Sequence, residues 1–163
     1  MNLRELKGKP VVEMSSARKV GIVGDAFLGP DHQNISALDV RATRRGPEYL
    51  VSIDHVWTID PDRVAIDHLD SLRLLDQTPE LAKLTSLDSL LGRGVVTEGG
   101  RILGIIDAVE FDPISHQVTV ITYTSVPPGG TVGPRQILNP RDIVGTVPDI
   151  VTVREVAQPL QAA

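Results

Sequence analysis

Arg18-Lys19-Val20-Gly21-Ile22-Val23 returns later in the chain as Arg101-Ile102-Leu103-Gly104-Ile105-Ile106, at an offset of 83 residues. The same offset relates Pro30 to Pro113, in the turn that follows each stretch. Two unrelated valine-rich segments would share apolar residues alone, whereas here a glycine and a proline also match. Similarity at a fixed offset indicates an internal duplication, and this duplication decides the predicted fold.

The duplication extends to both sides of this stretch. Upstream, Asn2-Leu3 matches Ser86-Leu87 at an offset of 84 residues, and downstream Pro61-Asp62 matches Pro148-Asp149 at an offset of 87. The matched stretches keep their order, and the offset changes only where turns are expected. The predicted organisation is a first unit at residues 1–69, a connector at 70–83, a second unit at 84–156 and a tail at 157–163.

Each unit is predicted to contain one helical turn and five short strands. Asn2 and Ser86 suit the N-cap of a turn at Leu3–Leu6 and at Leu87–Leu90, and Thr78-Pro79-Glu80 suits the start of a short helix in the connector. The predicted strands are Pro10–Met14, Lys19–Leu28, Ile35–Arg41, Tyr49–Ile53 and Arg63–Ile66, then Gly94–Thr97, Ile102–Phe111, Gln117–Thr124, Arg135–Leu138 and Ile150–Val153. Five short strands close most simply into a barrel, so we expect a mainly β protein of two tandem small β-barrels.

The composition favours a globular protein that does not bind nucleic acid directly. Hydrophobic residues make up 41% of the 163 residues but aromatic residues only 3%, so valine, isoleucine and leucine must fill the core. A net charge of −5 disfavours binding to phosphate backbones. Because the sequence has no cysteine, no bilayer-length apolar run and no pattern typical of a signal peptide, we expect a cytoplasmic protein without a membrane span.

The two units resemble the PRC-barrel family, a domain of the photosynthetic reaction centre H subunit and of the small-subunit ribosome maturation factor. The matching segments are Leu6–Val11, then Lys19–Val23 and Ile102–Ile106, each followed by an acid, Asp25 or Asp107, then Leu28-Gly29-Pro30 and Phe111-Asp112-Pro113, and finally Val51–Val56 and Leu138–Ile143. None of these segments carries catalytic chemistry. The resemblance therefore implies barrels of the PRC type that act in protein interaction or assembly.

The sequence offers few candidates for chemistry. His32 and His116 follow the matched prolines and suggest either a proton or metal site shared between the barrels or two exposed turn residues. The cluster Asp54, His55, Asp60 and Asp62 suggests either a carboxylate–imidazole metal site or capped turns. The second unit has no matching cluster. We therefore expect no catalytic residues, no metal site and no cofactor, and hence no enzyme.

The candidate partner contacts are positions at which the two units differ. Arg44 and Arg45 lie at a predicted hairpin tip whose counterpart, Pro127–Gly130, is uncharged. Trp57 is the one tryptophan, and Val144 takes its place in the second unit, which predicts partial burial or, if the indole is exposed, a contact hot spot.

The leading interpretation is a scaffold or adaptor that binds another protein. One alternative is a ribosome or RNA-processing assembly factor that acts through a ribosomal protein. A further alternative is a small-ligand sensor with a pocket between the barrels. Association of whole chains into a homodimer stays open.

Overall fold

The protein is mainly β, with 52% of residues in strands and 15% in helices, arranged as two sheets of which one curls into a half-barrel. The computed structural model describes residues 1–43, 45–82, 84–126, 133–147, 149–155 and 160–161. The mainly β class predicted from the sequence is confirmed. Closure into complete barrels of the PRC type stays a prediction.

The first sheet has the strand order β5-β6-β1-β2-β3-β4-β7, with β8 added beside β2. Its strands are β1 (Pro10–Glu13), β2 (Lys19–Leu28), β3 (Ile35–Arg41), β4 (Glu48–Ser52), β5 (Val56–Ile59), β6 (Val64–Ile66), β7 (Arg73–Leu74) and β8 (Thr85–Ser86). All neighbouring pairs are antiparallel except β1 and β6, which run parallel.

The second sheet repeats this arrangement, with the order β13-β14-β9-β10-β11-β12-β15. Its strands are β9 (Gly94–Thr97), β10 (Ile102–Phe111), β11 (Val118–Ser125), β12 (Arg135–Leu138), β13 (Ile143–Val147), β14 (Ile150–Val153) and β15 (Leu160–Gln161). Here β9 and β14 form the parallel pair, in the place that β1 and β6 take in the first sheet. Both sheets therefore place corresponding segments of sequence in corresponding positions.

Short helical segments connect these strands. The α-helices are α1 (Leu3–Leu6), α2 (Pro79–Ala82) and α3 (Leu87–Leu90), and single 3-10 turns lie at Ile53–His55, Leu69–Ser71, Leu75–Gln77 and Pro140–Asp142. As predicted, the side chain of Asn2 accepts a hydrogen bond from the amide of Glu5, and that of Ser86 accepts one from the amide of Ser89. These caps fix α1 and α3 at the start of the two sheets.

The paired glycines lie where neighbouring strands come very close. A Cβ on Gly21 would lie 2.6 Å from the carbonyl oxygen of Arg41. A Cβ on Gly104 would come closer still to the carbonyl oxygen of Thr124. Only a residue without a side chain fits at these two positions, and each lies next to an irregularity in the pairing of its strand.

The sequence missed five of the fifteen strands in the described residues, the two-residue strands β7, β8 and β15 and the longer strands β5 and β13. Both β5 and β13 form directly after a 3-10 turn, and each lies at an edge of its sheet. Beneath the two sheets, one hydrophobic cluster contains buried side chains from both halves, among them Leu6, Val64, Leu90 and Val151. The two halves therefore share a continuous core.

Candidate functional sites

The two halves meet through reciprocal strand pairing. Ser86 at the start of the second half pairs with Phe27 on β2, and Asn2 at the start of the first half pairs with Glu110 on β10. Phe27 and Glu110 occupy corresponding places on their strands, so each half adds a short segment to the sheet of the other. The resulting junction has approximate two-fold symmetry at the level of hydrogen bonds.

A central pair of backbone hydrogen bonds obeys the same symmetry. The amide of Ile35 donates to the carbonyl oxygen of His116 over 2.8 Å, and the amide of Val118 donates to that of Gln33 over 2.7 Å. His116 is partly buried, which lowers its pKa, and both His32 and His116 have positive φ angles, of 59° and 63°. Across the described part of the chain, no three His, Cys, Asp or Glu side chains are arranged to hold a metal ion.

Two clefts flank this junction, one on each side. The first-unit cleft, with a volume of about 280 Å³, is lined by Lys7, residues 22–25, Arg41 and Asp88. Its rim is an ion pair between the halves, in which Lys7 Nζ lies 2.8 Å from Asp88 Oδ1. Because both side chains are well exposed to solvent, this pair adds little stability. The pair places one cation and one carboxylate at the rim of the cleft.

A bulge in β2 forms the floor of the first-unit cleft. Val23 pairs with Val40, but Asp25 pairs with Asp39, so Gly24 is an extra residue on β2. The Asp25 carboxylate accepts hydrogen bonds from the Ser86 hydroxyl and, over 3.2 Å, from the Asp88 amide. Asp25 therefore ties β2 to the start of α3. Burial raises its pKa above the ordinary value for an aspartate.

Asp39 is a carboxylate in the interior of β3, with a relative exposure of 3%. Its neighbour Arg41 reaches it weakly, over 3.4 Å, and bonds Glu48 over 2.7 Å. Among the described residues, Asp39 Oδ1 and Arg41 Nε are buried and have no hydrogen-bond partner. Burial raises the pKa of Asp39, and the charges of Glu48 and Asp25 add to that rise while Arg41 opposes it. Asp39 and Glu48 thus share one guanidinium here.

The second-unit cleft has different side chains on the same backbone. It measures about 190 Å³ and is lined by residues that include Arg4, Leu91, Asp107, Ala108 and Arg135. Ile106 pairs with Tyr123 and Ala108 with Thr122, so Asp107 is the extra residue of β10. The strand pairing thus aligns Gly24 with Asp107, as the 83-residue offset does, whereas the family motif had grouped Asp25 with Asp107.

Asp107 has its partners within the chain. Arg135 donates two hydrogen bonds to it, over 3.0 and 3.2 Å, and the Thr124 hydroxyl donates a third over 2.6 Å. A bidentate guanidinium–carboxylate pair of this kind satisfies both charges. The second unit also has no carboxylate in the position of Asp39, because Thr122 stands there instead.

A third feature is an apolar outer face on the second sheet. Strand pairing places Ile105, Gly94, Ile150 and Val147 in one row across four strands, and Ile102 begins the next row. The four isoleucine and valine side chains of this set are 38–66% exposed. We call Ile102, Ile105, Val147 and Ile150 the apolar face. Contiguous exposed apolar groups on one side of a sheet make a candidate contact surface.

The first sheet is charged at two of the corresponding places, whereas Ile22 takes the place of Ile105. The pairing of β1 with β2 and β6 puts Lys19 where Ile102 stands and Arg63 where Ile150 stands. Both residues are exposed. The apolar face is therefore a property of the second sheet and not of the shared architecture.

The structure separates the predicted contact residues. Trp57 lies on edge strand β5 and is 65% exposed, so the expected partial burial is wrong and the indole is available for contact. Arg45 is exposed, whereas Arg44 and the opposite tip at 127–130 lie outside the described residues. His55 pairs with Asp67 over 2.7 Å rather than with Asp54, Asp60 or Asp62.

No family model matches the chain, and the comparison with curated proteins found no match. No helix in the described residues has the length and apolar character needed to cross a membrane.

Proposed function

We propose that the protein is a non-enzymatic adaptor that binds another protein through the apolar face of the second sheet. The observation that carries this proposal is the set of exposed isoleucine and valine side chains on this face, two of which, Ile102 and Ile150, stand where the first sheet has Lys19 and Arg63. Water contact with apolar surface is unfavourable by about 25 cal/mol for each Å². A partner with a matching apolar surface removes that cost.

The apolar face extends over four strands, which suits a broad protein contact rather than a small ligand. Gly94 and Gly145 carry no side chain, and both lie in its rows. The neighbouring Val144 is also exposed. Interfaces between proteins concentrate their binding energy in apolar groups near the centre of such a patch.

The proposal includes the origin and setting of the adaptor. We infer that the chain is a tandem duplication of one module of the PRC-barrel type, acting in the cytoplasm. The matching strand orders and the reciprocal pairing at the junction support the duplication. The resemblance of the sequence motifs supports the family. In this scheme the first unit keeps a charged outer face, and the second unit has diverged to bind the partner.

A photocrosslinking residue at position 102, compared with one at position 19, tests the location of the contact. The two positions correspond in the strand pairing and are both exposed. We expect one discrete protein adduct in the native cell at position 102 and none at position 19. Equal labelling at the two positions would refute the proposed surface. If the chain instead forms an adduct with itself, the partner is a second copy of the chain rather than another protein.

Affinity measurements with the crosslinked partner complete the test. We expect Ile102→Glu to weaken binding at least about tenfold, since a charge would be buried without a partner in the interface. Lys19→Glu introduces the same side chain at the matched position and should leave the affinity unchanged. A similar loss for both variants would indicate a general effect of charge.

A further inference from the structure

We propose that a third cleft, at the centre of the junction, binds a small hydroxylated anion, with its anionic group on Arg141 and its hydroxyl groups on the side-chain amides of Gln33 and Gln117. The proposal does not depend on the apolar face. It follows from the charge and the hydrogen-bonding groups of the side chains that line this cleft.

Both halves of the chain build this central cleft. Its lining takes Gln33 from the first unit, and residues 117–119 and 139–141 from the second. The amide of Val118 donates to the carbonyl oxygen of Gln33 over 2.7 Å, so one of the central backbone hydrogen bonds holds the two sides together. The volume of about 280 Å³ is just below the range of about 300–1,000 Å³ for drug-sized ligands, which suits a single sugar rather than a nucleotide.

Arg141 sets the charge of the central cleft. It is the charged residue among the described residues of the lining, and no carboxylate accompanies it. Its backbone amide donates to Asn139 Oδ1 over 3.0 Å, so the cap of the 3-10 turn holds its backbone in place. Its guanidinium makes no ion pair within the described part of the chain. A guanidinium offers two parallel donors to a carboxylate or a phosphate, so this cleft favours an anion.

The uncharged polar groups of the lining suit the hydroxyl groups of a ligand. The backbones of Gln33 and Gln117 are held by hydrogen bonds, but their side-chain amides form none with other described residues. Each of these amides carries two donors and an acceptor, and a hydroxyl group likewise both donates and accepts. Asn139 adds a donor, because its Oδ1 is engaged by the Arg141 amide and Nδ2 is left over. Sugar phosphates and sugar carboxylates both combine hydroxyl groups with an anionic group.

The first unit has the opposite charge at the corresponding position. The 3-10 turn at Ile53–His55 corresponds to the turn at Pro140–Asp142 at the 87-residue offset, so Asp54 matches Arg141. In both turns the preceding side chain caps the backbone amide at this position. The cap is therefore a requirement of the turn, whereas the guanidinium belongs to the second unit alone.

Chemical-shift titrations of the ¹⁵N-labelled full chain test the proposal and identify the anionic group. Glucose 6-phosphate and gluconate combine hydroxyl groups with a phosphate or a carboxylate, whereas glucose offers hydroxyl groups alone and inorganic phosphate offers the charge alone. At matched ionic strength we expect saturable shifts at the amides of Gln33, Gln117 and Arg141 with at least one of the two sugar anions, and binding of glucose and of inorganic phosphate that is weaker by about tenfold or more. No saturable shift with either sugar anion, or equally tight binding of glucose or inorganic phosphate, would overturn the proposal.

Three variants locate the site. We expect Arg141→Gln to weaken binding of the sugar anion by about tenfold or more, because hydrogen bonds to a charged group are the stronger ones. Gln33→Ala should also weaken it, since the first unit supplies this side of the cleft. Arg63→Gln removes the same charge from an exposed position on the first sheet and should leave the affinity unchanged. Unchanged affinity in Arg141→Gln or Gln33→Ala, or an equal loss in Arg63→Gln, would refute the site.

Discussion

The two clefts at the junction have the same strand arrangement, but their charged side chains are paired differently. In the second unit, one carboxylate on the bulge, Asp107, pairs with one guanidinium on β12, Arg135. In the first unit the bulge residue is Gly24, and the positions that face it carry Asp39, Arg41 and Glu48. The second cleft is complete within the chain, whereas the first retains buried polar atoms without partners among the described residues.

This difference separates what the architecture requires from what each unit has acquired. Both units have a glycine at the close approach of two strands and a side-chain cap on the first helix. The bulge residue and the outer face differ. A structural requirement would act equally on both copies, so the residues that differ are the ones to test for function.

The largest expected effect concerns a shared feature, the close approach at Gly21 and Gly104. Gly21→Ala and Gly104→Ala each place a methyl group within the contact distance of a backbone carbonyl, which forces a strand to move. We expect each to lower the free energy of unfolding by about 1–3 kcal/mol, with the larger loss at Gly104, where the approach is closer. Urea unfolding followed by circular dichroism measures both.

Gly145→Ala is the control for this prediction. Gly145 also lies in a strand, but a Cβ there would meet nothing within 4 Å. We expect a change of no more than about 0.5 kcal/mol, as for other substitutions at uncrowded sites. If Gly145→Ala is as damaging as Gly104→Ala, the loss reflects glycine in a strand in general and not the close approach.

Most of the longer strands could be predicted because the internal repeat is visible in short stretches of the sequence. The strands Lys19–Leu28 and Ile102–Phe111 were predicted with the observed bounds, since their glycines and β-branched residues lie between clear turns. Strands β5 and β13 were missed because each follows a 3-10 turn without a break in the chain. Their pairing with β6 and β14 depends on contacts within the sheet that short sequence patterns do not contain.

The candidate sites were harder to predict, for a reason visible in the bulges. The 83-residue offset already matches Gly24 with Asp107, as strand pairing does, but the family motif grouped Asp25 and Asp107 as corresponding acids. A shift of one residue changes which side chain faces the cleft. One signal was present in the sequence: Asp39 lies between Leu38 and Val40 within a strand-like segment, where a charge requires an explanation.

An effect of intermediate size on the pH dependence of stability is expected from the buried carboxylates of the first unit, Asp25 and Asp39. Burial raises the pKa values of Asp25 and Asp39, so the folded state binds protons more tightly than the unfolded state. These groups therefore favour folding at low pH, and that contribution is lost as the pH rises from about 4 through their folded pKa values. We expect Asp25→Asn and Asp39→Asn to gain stability relative to the wild type over this range, by about 1.4 kcal/mol for each unit of raised pKa.

Asp112→Asn is the contrasting control in the second half. The amides of Ile114 and Ser115 donate to the Asp112 carboxylate and lower its pKa. Its contribution is therefore present above about pH 4 and is lost as the pH falls through the folded pKa. Urea unfolding at several pH values between about 2.5 and 7, the range in which carboxylates titrate, measures the stability of all three variants. A parallel pH profile for the three would show that the buried cluster is not distinctive.

The smallest effect concerns the end of the first unit, where Asp67 binds the following turn. The Ser71 hydroxyl and His55 Nδ1 hydrogen-bond to this carboxylate and lower its pKa to about 2. Its stabilisation is present above the ordinary aspartate pKa of about 4 and is lost as the pH falls through about 2. We expect Asp67→Asn to flatten the stability profile in that window by a small amount, because the group is exposed and water screens it. Asp70→Asn, on the same turn, controls for surface charge, and an equal change in both variants would remove the role assigned to the His55–Asp67 pair.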